Sequence, residues 1–166
     1  MSVFTSQLFE NTSDGSQKIS PAILSKEGPF LEVFVTIPQA LVEFYTKEKI
    51  PVPSPIAGMA LIDTGASKSC VHGPIMRDLK VSPINTATTH TAAGAVIHSL
   101  YPAHFTFPVP NINIEFASVV GVDLSGQTIG GKQLIALIGR DVLAMGIFLY
   151  NGHHGTYTLA IEPRAR

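Results

Sequence analysis

The sequence predicts a mostly antiparallel β domain, and three observations carry that reading. Its apolar segments are short and rich in β-branched and aromatic residues. Turn-forming stretches divide them, among them Gly130-Gly131, Asn151-Gly152 and Pro108 to Asn111. Helix-length periodic stretches between them are few, which disfavours alternating β-α units.

A chain of 166 residues suits one domain and can bury a substantial core, and 45% hydrophobic with 14% charged residues describes a compact chain. No repeat of fixed period is present, so a solenoid or propeller is disfavoured.

Residues 11–29 are rich in Ser, Asn, Asp, Gly and Lys with little periodicity, which predicts a flexible N-terminal arm over 1–29 and an ordered domain over 30–166. Leu31, Val33, Val35 and Ile37 then alternate along a strand that Pro38 ends. Residues 39–49 read either as a short helix or as the widened end of a hairpin, and Pro51, Pro53 and Pro55 enforce an extended connector. Further strands are expected over 58–62, 87–100, 103–109, 112–122, 134–138, 148–150 and 156–161. Two short helices are expected, near 74–80 and 140–145.

Several function classes fall away on composition. A net charge of −1 and a pI near 6.6 leave no basic stripe for phosphates, so nucleic acid is a poor partner. Cys70 is the single cysteine, which excludes an intrachain disulfide and a cysteine-ligated zinc site within one chain. The first residues lack a secretory leader and no run approaches a membrane span, so the expectation is a soluble, cytoplasmic protein without membrane association.

The most informative stretch is Ala60 to Ser67, ALIDTGAS, an apolar strand that runs into a carboxylate followed by small, tightly turning residues. It resembles the active-site signature of aspartic peptidases, and Ala66 after the glycine is similar to the retroviral, retropepsin-like type. Downstream, Leu137 to Leu143, LIGRDVL, resembles the second signature of that family, with the apolar pair, Gly139, Arg140 and a helix. Between them His90 to His98, HTAAGAVIH, is similar in position to the family's flap hairpin, with Ala92, Ala93, Gly94 and Ala95 at its tip.

The resemblance implies a closed or sandwich-like β-barrel of the acid-protease type with one or two short helices. It implies an aspartic endopeptidase with Asp63 as the catalytic acid. Thr64, Gly65 and Ala66 would support it, and Ile138, Gly139 and Arg140 would form the structural second signature. Thr64 would bridge to the opposite subunit, and Val96, Ile97 and Ile138 are candidate walls of substrate pockets. Arg140 reads as structural rather than catalytic. One departure stands out: retroviral members usually carry an acid four positions after the catalytic aspartate, and here that position is Ser67. Arg140 must then find another acceptor, Asp78 or a backbone carbonyl.

The chemistry needs two carboxylates close enough to share a proton, since adjacent like charges cannot both ionise cheaply. No second Asp-Thr-Gly or Asp-Ser-Gly exists here, and Asp123-Leu124-Ser125-Gly126 has an inserted leucine. Asp63 must therefore meet its own copy in a homodimer, acting on a peptide or protein substrate without metal or other cofactor.

Plainer readings stand beside these. Asp63 can be a turn aspartate bonded to its own loop. The paired His153 and His154 lie in an expected hairpin turn without acidic neighbours, against a metal site. Cys70 reads as a small buried residue rather than a nucleophile served by His72, and Ser67 and Ser69 as loop hydroxyls. The rival function is a retropepsin-like peptide-binding or dimerisation module with little or no hydrolysis. A peptidase kept latent by residues 1–29 is a further possibility.

Overall fold

The computed structural model describes residues 1–91 and 94–162. The chain begins with β1 (Ser2–Gln7), the short pair β2 (Phe9–Asn11) and β3 (Gln17–Ile19), and helix α1 (Pro21–Glu27). Then follow β4 (Phe30–Thr36), α2 (Gln39–Lys47), β5 (Ile56–Ile62), β6 (Cys70–His72) and α3 (Gly73–Asp78). The middle of the chain forms β7 (Asn85–Thr91), β8 (Gly94–Phe107) and β9 (Ile112–Val122). It ends with β10 (Thr128–Ile129), β11 (Lys132–Ile138), α4 (Arg140–Leu143), β12 (Gly146–Asn151) and β13 (Thr156–Ile161).

Six of these strands close on themselves in the order β11, β5, β4, β8, β9, β6 and back to β11. The result is a mixed barrel, as strongly strand-forming segments predict; β5 with β11 and β6 with β9 pair parallel, and the other pairs antiparallel. Closure removes free edges from this part of the molecule. The barrel interior is filled by alternating residues such as Val33 and Val35 on β4, with the rings of Phe105 and Phe116 from β8 and β9 in tilted contact at a centroid distance of 4.8 Å.

Strand β8 explains why the sequence reads as two segments, 87–100 and 103–109. Its second half lies in the barrel against β4 and β9, whereas its first half leaves the barrel and pairs with β7 as a hairpin, from Asn85↔Leu100 to Thr91↔Gly94. The register shifts between Tyr101 and Ala103, at Pro102, which has no N–H to give to a ladder.

Segments 74–80 and 140–145 hold α3 and α4, and 39–49 holds α2, the helical alternative of two. Helix α1 is an addition to the expected set. Strands β1, β2, β3, β6 and β10 are also absent from the sequence reading; each is short or polar and is held by long-range pairing rather than by its own pattern.

Residues 1–29, expected as a flexible arm, are built into the molecule. β1 pairs with β13 over its full length, β13 pairs in turn with β12, and Leu24 of α1 is completely buried in the core shared with the barrel. The buried Tyr157 of β13 ties this second sheet to the barrel: its hydroxyl donates to the Phe30 carbonyl and accepts from the Phe30 N–H at 3.2 Å. Burial accordingly pushes its phenol up from the ordinary value. Composition hid this because a single buried leucine in a seven-residue helix carries no period to read.

Leu24→Ala should therefore cost about 2–5 kcal/mol of stability in urea unfolding, the range for emptying a filled core site. A loss below about half a kcal/mol, as for an exposed surface position, would show that the segment is dispensable to the core.

Candidate active site

Parallel strands β5 and β11 run level, with Ile62 opposite Ile138. The Asp63 N–H continues this pairing by donating to the Ile138 carbonyl at 2.9 Å. The chain then turns sharply. Asp63 is half-buried at the mouth of this turn, and its Oδ1 accepts from the N–H of Gly65 at 2.8 Å and of Ala66 at 3.2 Å. Among the described residues its Oδ2 has no hydrogen-bond partner, leaving one carboxylate oxygen for chemistry. The plain turn-aspartate reading and the catalytic one thus share a geometry: the loop amides hold one oxygen of the acid and leave the other without a partner among the described residues.

Arg140 closes the loop from the other side. Its Nη1 donates to the carbonyls of Thr64 at 2.7 Å and Gly65 at 2.9 Å, and its backbone N–H donates to the Ala66 carbonyl at 2.9 Å. Of the two acceptors considered for an arginine facing Ser67 in place of an acid, backbone carbonyls are the ones used. Thr64 and Gly65 are exposed and Ala66 half-buried.

A second clamp was not legible as such. Ser69 is almost fully buried; its N–H donates to both oxygens of Asp141 at 3.0 Å, and its hydroxyl donates to Asp141 Oδ1 at 2.7 Å while accepting from the Gly139 N–H at 3.0 Å. Ser69 is therefore a structural latch rather than a loop hydroxyl. The available signal was an aspartate in the first turn of a helix, where exposed N–H groups favour a negative charge. Gly139 is required here for space: a Cβ would lie 2.6–2.9 Å from the backbone of Lys68 and Ser69.

Ile138 is buried, so it supports the floor and does not line an open pocket. Gly94 and Ala95 begin β8, with Gly94 at φ +122°, a conformation L side chains rarely adopt; Ala92 and Ala93 lie outside the described residues. Val96 and Ile97 on this hairpin are exposed, Ile97 to 73%. Ile97 borders a recess of about 290 Å³ whose other walls include Pro74, Arg77, Tyr101 and Asp123.

Cys70 is not set up as a nucleophile. Burial first, then the negative charges of Asp141 and Asp63, push its thiol up to about 11. His72 is committed elsewhere, its Nδ1 accepting from the Leu124 N–H at 3.0 Å. Among the described residues no group of three or more His, Cys, Asp or Glu gathers as metal ligands, and no helix is long and apolar enough to cross a membrane.

Ser69→Ala should lower stability by about 1–3 kcal/mol, because it strips a hydroxyl donor from a carboxylate and an acceptor from the Gly139 amide; an unchanged urea midpoint would mean that the latch is dispensable. Cys70 offers a second check. Against an ordinary 9.0, a value of about 11 cuts the thiolate present at pH 8 about a hundredfold. Thiol reagents should react slowly at pH 8, and faster with Asp63→Asn because removing a negative charge lowers the thiol pKa; equal rates would contradict the assigned coupling.

No protein-family model and no curated protein matches the chain. Among solved structures, it is similar to the protease of simian foamy virus (mac), with 18% identity over 68% of this chain and 89% of the other and a TM-score of 0.41. It is also similar to a retropepsin-like aspartic protease from Rickettsia conorii, with 13% identity over 95% of this chain and 92% of the other and a TM-score of 0.40.

Proposed function

We propose that this chain is a retropepsin-like aspartic endopeptidase that works as a homodimer, each subunit supplying one Asp63. The observation that carries the reading is the Asp63 carboxylate. One of its oxygens is held by two loop amides, the other has no partner among the described residues, and Arg140 clips the loop that bears it. The open oxygen also fits a plain turn aspartate; what favours the catalytic reading is the arginine committed to the carbonyls beside it.

Two such carboxylates across a two-fold axis share one proton, since both cannot ionise at close range. The ionised member takes a proton from a water as that water attacks the scissile carbonyl. The protonated member donates to the developing oxyanion, and a proton then passes to the amine as the C–N bond breaks. Two copies of Asp63, one from each subunit, supply these roles without a cofactor.

Substrate fits the same frame. The β7–β8 hairpin, with exposed Val96 and Ile97, supplies strand edges and apolar side chains suited to an extended peptide. The recess beside Ile97 suits one side chain of that peptide.

Purified protein should cleave members of a diverse peptide library with pepstatin sensitivity, and Asp63→Asn should lower the rate by at least about a thousandfold. Cleavage at the wild-type rate by Asp63→Asn would sink the reading. Peptide binding without hydrolysis by the wild type would instead identify a binding module.

A further inference from the structure

Strand β8 leaves the barrel where its pairing with β9 ends, at Leu100↔Val120. From there toward Gly94 it pairs with β7 alone, and a two-stranded hairpin has little stability of its own in water. How the hairpin stands over the rest of the molecule therefore depends on what ties its base down. Its two faces differ. Ala87, Thr89 and His98 share one face and are half-buried, whereas Thr88 and Ile97 on the other are exposed.

His98 uses both ring nitrogens at this base. Nδ1 lies 3.2 Å from the Gly121 carbonyl oxygen on β9, and Nε2 lies 2.9 Å from the Thr89 hydroxyl on β7. A carbonyl only accepts, so Nδ1 carries a proton and donates to Gly121; in the neutral ring Nε2 then accepts from Thr89, whose hydroxyl is free to turn. One bond fastens β8 to the barrel and the other fastens β7 to β8. Gly121 lies just past the last β8–β9 pair and is held from its other side by β6, opposite Val71. The His98 side chain thus takes up a barrel carbonyl at the point where the backbone ladder stops. The close approach requires a glycine: a Cβ at Gly121 would lie 2.6 Å from the Tyr101 ring and 3.2 Å from the Ser99 carbonyl oxygen. Among the described side chains of this hairpin, no other hydrogen-bonds to the barrel.

We infer that His98 is a positioning residue for substrate capture: it sets the angle at which the β7–β8 hairpin leaves the barrel, so that the hairpin's edges and its exposed Val96 and Ile97 stand ready for an extended peptide. Both ring nitrogens are engaged within the fold, so its part is not proton transfer. The inference rests on the reading that this hairpin lies against the substrate; it adds what holds the hairpin in place before a peptide arrives. Releasing the tie lowers the fraction of molecules with the hairpin in place, and the apparent affinity for peptide falls by that fraction.

Hydrogen exchange on the full chain in the Asp63→Asn background measures the tie without self-cleavage. His98→Ala should speed exchange of the amides of β7 and of residues 94–99 roughly tenfold, the scale of a lost hydrogen bond. Amides of β4 and β5 should be unchanged. Two further replacements separate the ring nitrogens. The amide nitrogen of asparagine falls where Nδ1 stood, and that of glutamine where Nε2 stood. His98→Asn therefore keeps the bond to Gly121 and should restore most of the protection, whereas His98→Gln keeps only the reach to Thr89 and should not. Unchanged exchange in His98→Ala, equal protection in His98→Gln and His98→Asn, or loosening spread through the barrel would each overturn the inference.

Peptide kinetics on the chain with Asp63 intact supply the functional half. His98→Ala should raise KM roughly tenfold, in step with the lost bond, while kcat stays within about twofold, and His98→Asn should return KM most of the way. A loosened hairpin with unchanged KM would remove the positioning role. Should the wild type cleave nothing, the peptidase reading fails by itself; the same comparison is then made on peptide dissociation constants, and His98 stands or falls on exchange and affinity together.

Discussion

The level ending of two parallel strands, β5 and β11, is the constraint on which the rest depends. Parallel neighbours in a closed barrel are buried and inflexible, so the Asp63 N–H bonded to the Ile138 carbonyl starts the loop from a fixed point. A sharp loop at such a place carries backbone groups that need partners. Its amides at 65 and 66 find the Asp63 carboxylate, and its carbonyls at 64, 65 and 66 find Arg140. The same bonds that satisfy the loop orient the acid, so in this molecule structure and candidate chemistry are carried by one set of groups.

The replacement of an expected acid by Ser67 is absorbed without a stray charge. Arg140 turns from a side-chain partner to two carbonyls, which charge-assisted bonds serve well. The negative charge that helps lock this region sits instead on Asp141, where the buried Ser69 donates to it from both backbone and side chain. The helix carrying Arg140 and Asp141 therefore grips both ends of the loop, 64–66 on one side and 69 on the other. Gly139 permits that approach by presenting no Cβ to the Lys68 backbone.

The first 29 residues change how the remainder can assemble. By adding β1 to β13, they complete a three-stranded sheet within one chain, joined to the barrel by the Tyr157 hydroxyl at Phe30. A neighbour then has no vacant place inside that sheet and only its edges to extend. Among the described residues, those edges and the edges of the β7–β8 hairpin belong to the unclosed backbone of a molecule whose main barrel is sealed.

Much was legible in the sequence where the signal is local. The alternation of Leu31, Val33, Val35 and Ile37 marks a strand because one face must be apolar, and the turn chemistry of Asp-Thr-Gly and the glycine before Arg140 marks two tight places whatever surrounds them. The helices near 74 and 140 and the histidine-bearing turn at 153 follow from the same kind of short-range cue, whereas the hairpin at Gly94 was expected only from its position in the family resemblance. What only the tertiary structure decided are pairings between residues far apart in the chain: Ser69 with Asp141, Arg140 with the carbonyls of 64 and 65, Tyr157 with Phe30, and β1 with β13. These depend on which strands close the barrel, and a polar residue carries no mark of the partner that folding will bring to it. Local sequence determines where the chain must bend and which face must be hidden; the closed topology decides which hydrogen-bonding groups meet.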